Sequence, residues 1–219
     1  MKKFILSILI AIIIGKPEIP AISPMAKNFS QEVLSVKEMN MEYRYPVASV
    51  SKIFKENILL NLAYLDGRVT KAQDINWDEI TKPFQSEFTL NPNETFAFHD
   101  AVTPQFKNTV VVTTKARFNK QDGFKTDGYL YGDGVCQLAS FINMAARDAK
   151  LDVVQYTNHD FAAIPEVPKI YGVAIYLNPN NRAASARENL YVTNNQDKPV
   201  TFRFNYQNGQ LKITVSKVV

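Results

Sequence analysis

The sequence predicts an α+β domain: a central helix with a cysteine at its N-terminus, packed on a mostly antiparallel β-sheet and completed by a C-terminal β-hairpin. Three observations predict it. Residues 135–150 carry apolar side chains at helical spacing. Val200, Phe202, Phe204 and Tyr206 alternate with polar residues, then Asn208-Gly209, then Leu211, Ile213 and Val215 alternate again. An Asn-Gly pair between alternating runs marks a two-residue hairpin. Finally, residues 109–114 (TVVVTT) are β-branched throughout and suit a strand.

The elements follow in chain order. Residues 1–26 hold a basic start and an apolar run from Phe4 to Ile14. That run is short of the ~20 residues a bilayer span needs and suits a signal-peptide core, or else an anchor. Residues 27–52 read as a linker or N-terminal extension with a helix near 30–40. From Val50 to about Leu65 the apolar residues Ile53, Ile58, Leu59, Leu62 and Leu65 again approximate helical spacing, and Asp66-Gly67 stops the run. Residues 68–90 look irregular, with Trp77 at a core edge. Residues 88–98 form two extended pieces around an Asn91-Pro92-Asn93 turn. Residues 119–134 contain Gly123, Gly128, Gly132 and Gly134 and read as a loop, and residues 151–157 and 171–177 read as strands.

Composition narrows the function. Lys2, Lys3 and Lys16 against Glu18 place half of the +4 net charge in residues 1–26. What remains is too little for a nucleic-acid-binding stripe, so no nucleic-acid partner is expected. A single cysteine excludes an intramolecular disulfide framework, and two histidines leave few metal ligands. No metal and no cofactor are expected. The apolar N-terminus implies export to the periplasm or cell surface, with membrane contact only through that segment.

The cysteine is the first candidate for chemistry. At about 100° per residue, Leu138, Phe141, Ile142, Ala145, Ala146 and Ala149 fall opposite Cys136, while Ser140, Asn143 and Arg147 fall beneath it. The thiol therefore heads a polar stripe and is expected to be partly exposed. Gly132-Asp133-Gly134 precedes it, so Cys136 lies in the helix's first turn, where free N–H groups and the helix dipole stabilise a thiolate. The same N–H groups would serve as an oxyanion hole. Gln137 either polarises a carbonyl or makes a buried structural hydrogen bond.

A nucleophile needs a base, and His159 is the candidate. The helix is roughly 22 Å long at about 1.5 Å per residue. After a short turn, a strand over 152–158, if it runs back antiparallel to the helix, covers roughly 23 Å at about 3.3 Å per residue. The two lengths cancel and return His159 to the level of Cys136. Candidates to orient the ring are Asn158, Asp160, Asp133 and Asn194. His99 reads as a polar residue at a strand end. A metal site from Cys136, His159 and His99 or Asp133, and a Ser-x-x-Lys nucleophile at Ser49 and Lys52, are the alternatives with less sequence support.

The segments GYLYGDGVCQLASFINMAARDAKLDVV, NHD and ENLYVTNNQDKPVTFRF, with ENILLNLAYLDG and NPNETFAF upstream, resemble the VanW family. The resemblance covers roughly residues 53–215, which sets the domain at 53–219. It implies an exported cell-envelope protein, in some members associated with glycopeptide-resistance gene clusters, and it supplies no established reaction. Asp133 stands where the family usually has glycine. Two functions are expected to compete. One is a cysteine-dependent hydrolase or acyl transferase acting on peptidoglycan peptides, with Cys136 as nucleophile and His159 as base and acid. The other is a non-catalytic peptidoglycan- or envelope-binding module.

Overall fold

A computed structural model describes residues 30–219. The apolar run at 4–14 and its reading as signal or anchor lie outside the described residues. Among the described residues, eight strands form two four-stranded sheets around a central helix, an α+β architecture as the sequence predicts.

The first sheet has the order β1-β8-β7-β2, all antiparallel, from Gln31–Asn40 (β1), Phe84–Leu90 (β2), Val200–Gln207 (β7) and Gln210–Val218 (β8). β7 and β8 are the expected hairpin. Asn208 and Gly209 both take positive φ, 51° and 70°, as a primed turn requires. The second sheet has the order β4-β3-β6-β5, from Thr95–Ala97 (β3), Val110–Thr113 (β4), Asp152–Gln155 (β5) and Leu190–Thr193 (β6). Only β3 and β4 pair in parallel.

The helices are Ala48–Leu65 (α1), Trp77–Ile80 (α2), Val135–Asp148 (α3) and Arg182–Ser185 (α4). The apolar stripe of α3, with Leu138, Phe141, Ile142, Ala145 and Ala146 buried, faces the core shared by both sheets. Phe88 of β2 ties the sheets together, stacking on Phe96 of β3 at 4.9 Å and on Phe202 of β7 at 5.0 Å between ring centroids. Such offset aromatic pairs add about 0.5–1.5 kcal/mol each beyond the area they bury.

Four local expectations need correction. Residues 30–40, expected to be a helix within a linker, are β1, paired along its length with β8. A bulge between Val33 and Ser35 breaks the two-residue alternation, so Leu34 and Met39 both pack toward the core although they differ in parity. Residues 68–90 are more ordered than expected: Asn76 caps α2 through its side chain, and β2 follows. The strand expected over 151–157 ends at Gln155. Residues 171–177 are not a strand of either sheet, and the reason lies in α3.

Candidate functional site

α3 begins on glycine for a steric reason. Gly134 is its N-cap at φ 99°, and a β-carbon there would stand 2.7 Å from the Phe54 carbonyl oxygen of α1. Only glycine fits that conformation and that approach. Asn57 of α1, fully buried, fixes the preceding loop: its amide donates to the Lys125 and Asp133 carbonyls at 3.0 and 2.9 Å, and its carbonyl accepts from the Lys125 amide at 2.8 Å. Asp133 turns its carboxylate back to the Asp127 amide, and burial holds its carboxyl above the usual range. Gly132, at φ 86°, packs on Phe118.

The polar stripe of α3 is satisfied by the extended segment 171–175. Asn143 donates to the Tyr171 carbonyl at 2.9 Å, Ser140 accepts from the Val173 amide at 2.8 Å, and Cys136 Sγ accepts from the Ile175 amide at 3.3 Å. The thiol also reaches the Ile175 carbonyl at 3.6 Å. Four helical residues rise about 6 Å and two extended residues about 6.6 Å, so successive stripe positions meet alternate residues of the segment. The segment is a strap whose partners on this side are side chains. Asn143 is held in turn by Gln155 and Arg147.

This arrangement sets the thiol's ionisation. Burial pushes Cys136 up to about 11; the Ile175 N–H acts the other way, and the nearby Asp133 carboxylate adds to the rise. The expected lowering by the helix start is absent because desolvation outweighs the dipole and an acid sits beside it. Cys136 as a residue keeps intermediate exposure, as its stripe position predicts.

His159 lies beside the strap, near its start. Its carbonyl abuts Gly172, where a β-carbon would stand 2.5 Å away, while Cys136 meets Ile175, three residues further along and about 10 Å by chain. The strand that was to carry His159 back ends at Gln155, and the chain bends at Tyr156 and Thr157. Among the described residues no hydrogen bond joins the thiol to either imidazole. His159 is 9% exposed, its Nδ1 has no partner, it packs on Phe161, and burial lowers its pKa.

The remaining candidates separate. Asn158 accepts from Gln155, and Asn194 bridges the Leu90 and Lys198 carbonyls at 2.9 Å each. Gln137 makes a structural bond, its amide donating to the Arg44 carbonyl at 3.1 Å. His99 is fully buried, with Nε2 on the Glu188 carbonyl and Nδ1 accepting from the Ala101 amide. Ser49 and Lys52 are exposed near the start of α1. Among the described residues no three His, Cys, Asp or Glu side chains gather as a metal-holding group.

Sequence reasoning missed Arg44, Asn57 and Glu166. It found Ser140 and Asn143 as a stripe without seeing what they hold. For Asn57 the signal was an asparagine amid the apolar residues of α1; for Arg44 the sequence carries none.

The fold and site define an α+β domain whose central helix uses a cysteine-headed polar stripe to grip a backbone strap. Residues 82–216 match the family model described as VanW like protein, and the chain belongs to that family. No curated protein and no solved structure gave a match.

Proposed function

We propose that the protein is an exported, non-catalytic module that binds peptidoglycan or other envelope peptides, with Cys136 as a structural thiol. One observation carries this reading against the enzyme: Cys136 Sγ is engaged with both backbone groups of Ile175 and its ionisation is pushed up to about 11. A thiol so held is almost wholly protonated near neutral pH, and the thiolate is the nucleophile. Export and the envelope location rest on the apolar run at 4–14 and on the family.

Two measurements test it. The rate of iodoacetamide labelling of Cys136 should climb through pH 9–10 with no plateau near neutrality. Incubation of wild type and Cys136→Ala with muropeptides should leave every mass unchanged while both proteins cosediment with sacculi. A labelling plateau below pH 8, or a product made only by wild type, would overturn the reading.

The second reading is a thiol hydrolase or acyl transferase using Cys136 and His159. It draws on the buried, unpartnered Nδ1 of His159 beside the strap. It requires the strap to leave Cys136 before the two groups meet, and then a labelling shoulder at low pH that His159→Ala removes.

A further inference from the structure

Arg44 is the least satisfied buried charge among the described residues. It is 1% exposed, and its guanidinium has one partner, the Glu166 carboxylate on Nη2. Nε and Nη1 have none. Gln137, 6% exposed, donates to the backbone carbonyl of Arg44 and leaves its own Oε1 without a donor. A guanidinium is normally buried only with its N–H groups paired, because an unpaired buried charge is costly.

Glu166 holds this place under protest from its backbone. Ile164 to Val167 forms a turn closed by the Val167 amide on the Ile164 carbonyl at 3.1 Å, with Pro165 at its second position and Glu166 at its third. Glu166 sits at φ 62°, where such a turn ordinarily takes glycine. Its side chain is 37% exposed, while that of Arg44 is wholly covered. One carboxylate oxygen binds the guanidinium and the other accepts from the Asn40 amide at 3.4 Å, so the two-pronged pairing that arginine favours is not made.

We infer that Arg44 and Gln137 form a receptor for a carboxylate with a neighbouring N–H donor, as on a peptide C-terminus or an α-amino acid, and that Glu166 plugs it as an internal substitute. The donor and acceptor inventory names the ligand. The free N–H groups of Arg44 take carboxylate oxygens, and Gln137 Oε1 takes an N–H that a bare carboxylate lacks. Exchanging one carboxylate for another keeps the buried charge paired throughout, so turning Glu166 outward on its strained turn admits the ligand without stranding Arg44. This inference deepens the binding-module reading and rests on it: it names the chemical end of the peptide that the module would hold.

The test is titration of the full chain with N-acetyl-alanyl-alanine, its C-terminal amide, free alanine and formate, read by calorimetry and by NMR of the Arg44 Nε–H and Gln137 side-chain amide. The dipeptide or alanine should shift both signals, formate the Arg44 signal alone, and the C-terminal amide neither. The ranking of dipeptide against alanine identifies the source of the carboxylate. Glu166→Gln, which keeps the shape and removes the competing charge, should tighten binding by about tenfold or more. If that variant does not fold, the wild-type NMR titration decides alone. No shift of the Arg44 Nε–H with either carboxylate would overturn the inference, leaving a site filled by buried water. Sacculus binding that persists in that case would keep the module reading alive, whereas cleavage of the dipeptide after binding would sink that reading and keep the site.

Discussion

Cys136 and Ile175 exchange hydrogen bonds: the Ile175 amide donates to the sulfur at 3.3 Å, and the thiol reaches the Ile175 carbonyl at 3.6 Å. A side chain at the start of a helix thereby does for an extended segment what a neighbouring strand does elsewhere. Cys136→Ala leaves both backbone groups short of a partner and should cost about 1–3 kcal/mol, measured by urea unfolding, with Cys136→Ser recovering part of the loss. The sign of the pH dependence follows from burial. The folded-state pKa of about 11 lies above the ordinary 9.0, so the thiol's contribution is intact below pH 9 and fades as pH rises toward 11. Wild type should lose stability over that alkaline range more steeply than Cys136→Ser.

Ser140→Ala is the sharper probe of the strap. Ser140 and Val173 are both fully buried, and the serine hydroxyl accepts the Val173 amide while donating to the Cys136 carbonyl. Removing the hydroxyl strands a buried N–H, at about 1–3 kcal/mol. Hydrogen exchange should quicken at Val173 and Ile175 and remain unchanged at the β7–β8 hairpin. Uniform quickening across both sheets would show that the strap has no local role.

These two positions also show what the sequence discloses and where it stops. Helical periodicity placed Ser140 and Asn143 beneath Cys136, and alternation placed the hairpin, because both patterns are local and repeat along the chain. The strap at 171–175 looked like a strand because Val173 and Ile175 alternate as strand residues do. Which partner satisfies an extended backbone is a tertiary fact, and here the partners are three side chains 28 to 39 residues away in the chain. The pairing of His159 with Cys136 is an argument from element lengths that presumes a strand over 152–158, and the strand ends at Gln155. Arg44 had no signal at all, since an isolated arginine between tyrosines reads as surface. Its burial depends on Glu166, 122 residues away.

Gly134→Ala should damage α3 at its origin. The new methyl would meet the Phe54 backbone, with the carbonyl oxygen at 2.7 Å and the Cα at 3.0 Å, and alanine disfavours φ 99° on its own account. Backbone strain of this kind costs about 1–3 kcal/mol before the clash is counted. The clash is with backbone, which cannot swing aside, so the helix start must move away from α1. The observable is a lowered unfolding midpoint together with faster labelling of Cys136 at pH 8, because the thiol's enclosure depends on that start. Gly67→Ala, at a positive φ but with nothing within 4 Å, is the control: strain alone, with labelling unchanged.

Acid stability should be governed in part by His99. The ring is fully buried between Glu188 and Ala101: Nε2–H donates to the Glu188 carbonyl at 3.0 Å, and Nδ1 accepts the Ala101 amide at 3.3 Å. Those partners fix a neutral tautomer, since a proton on Nδ1 would face an N–H. Burial is the main cause that lowers the pKa to about 4, against the ordinary 6.5; the Glu188 carbonyl and the Asp100 charge pull it back up only in part. The unfolded chain therefore binds a proton between those two values that the folded chain refuses. Stability is whole above pH 6.5 and drains as pH falls toward 4, by about 3 kcal/mol over the full interval. His99→Gln, whose amide can offer an N–H to Glu188 without titrating, should start from a lower stability at pH 7 and show a flatter decline from pH 6.5 to 4. Urea unfolding at half-unit steps of pH measures both slopes, and parallel curves for the two proteins would mean that the acid sensitivity belongs to other groups.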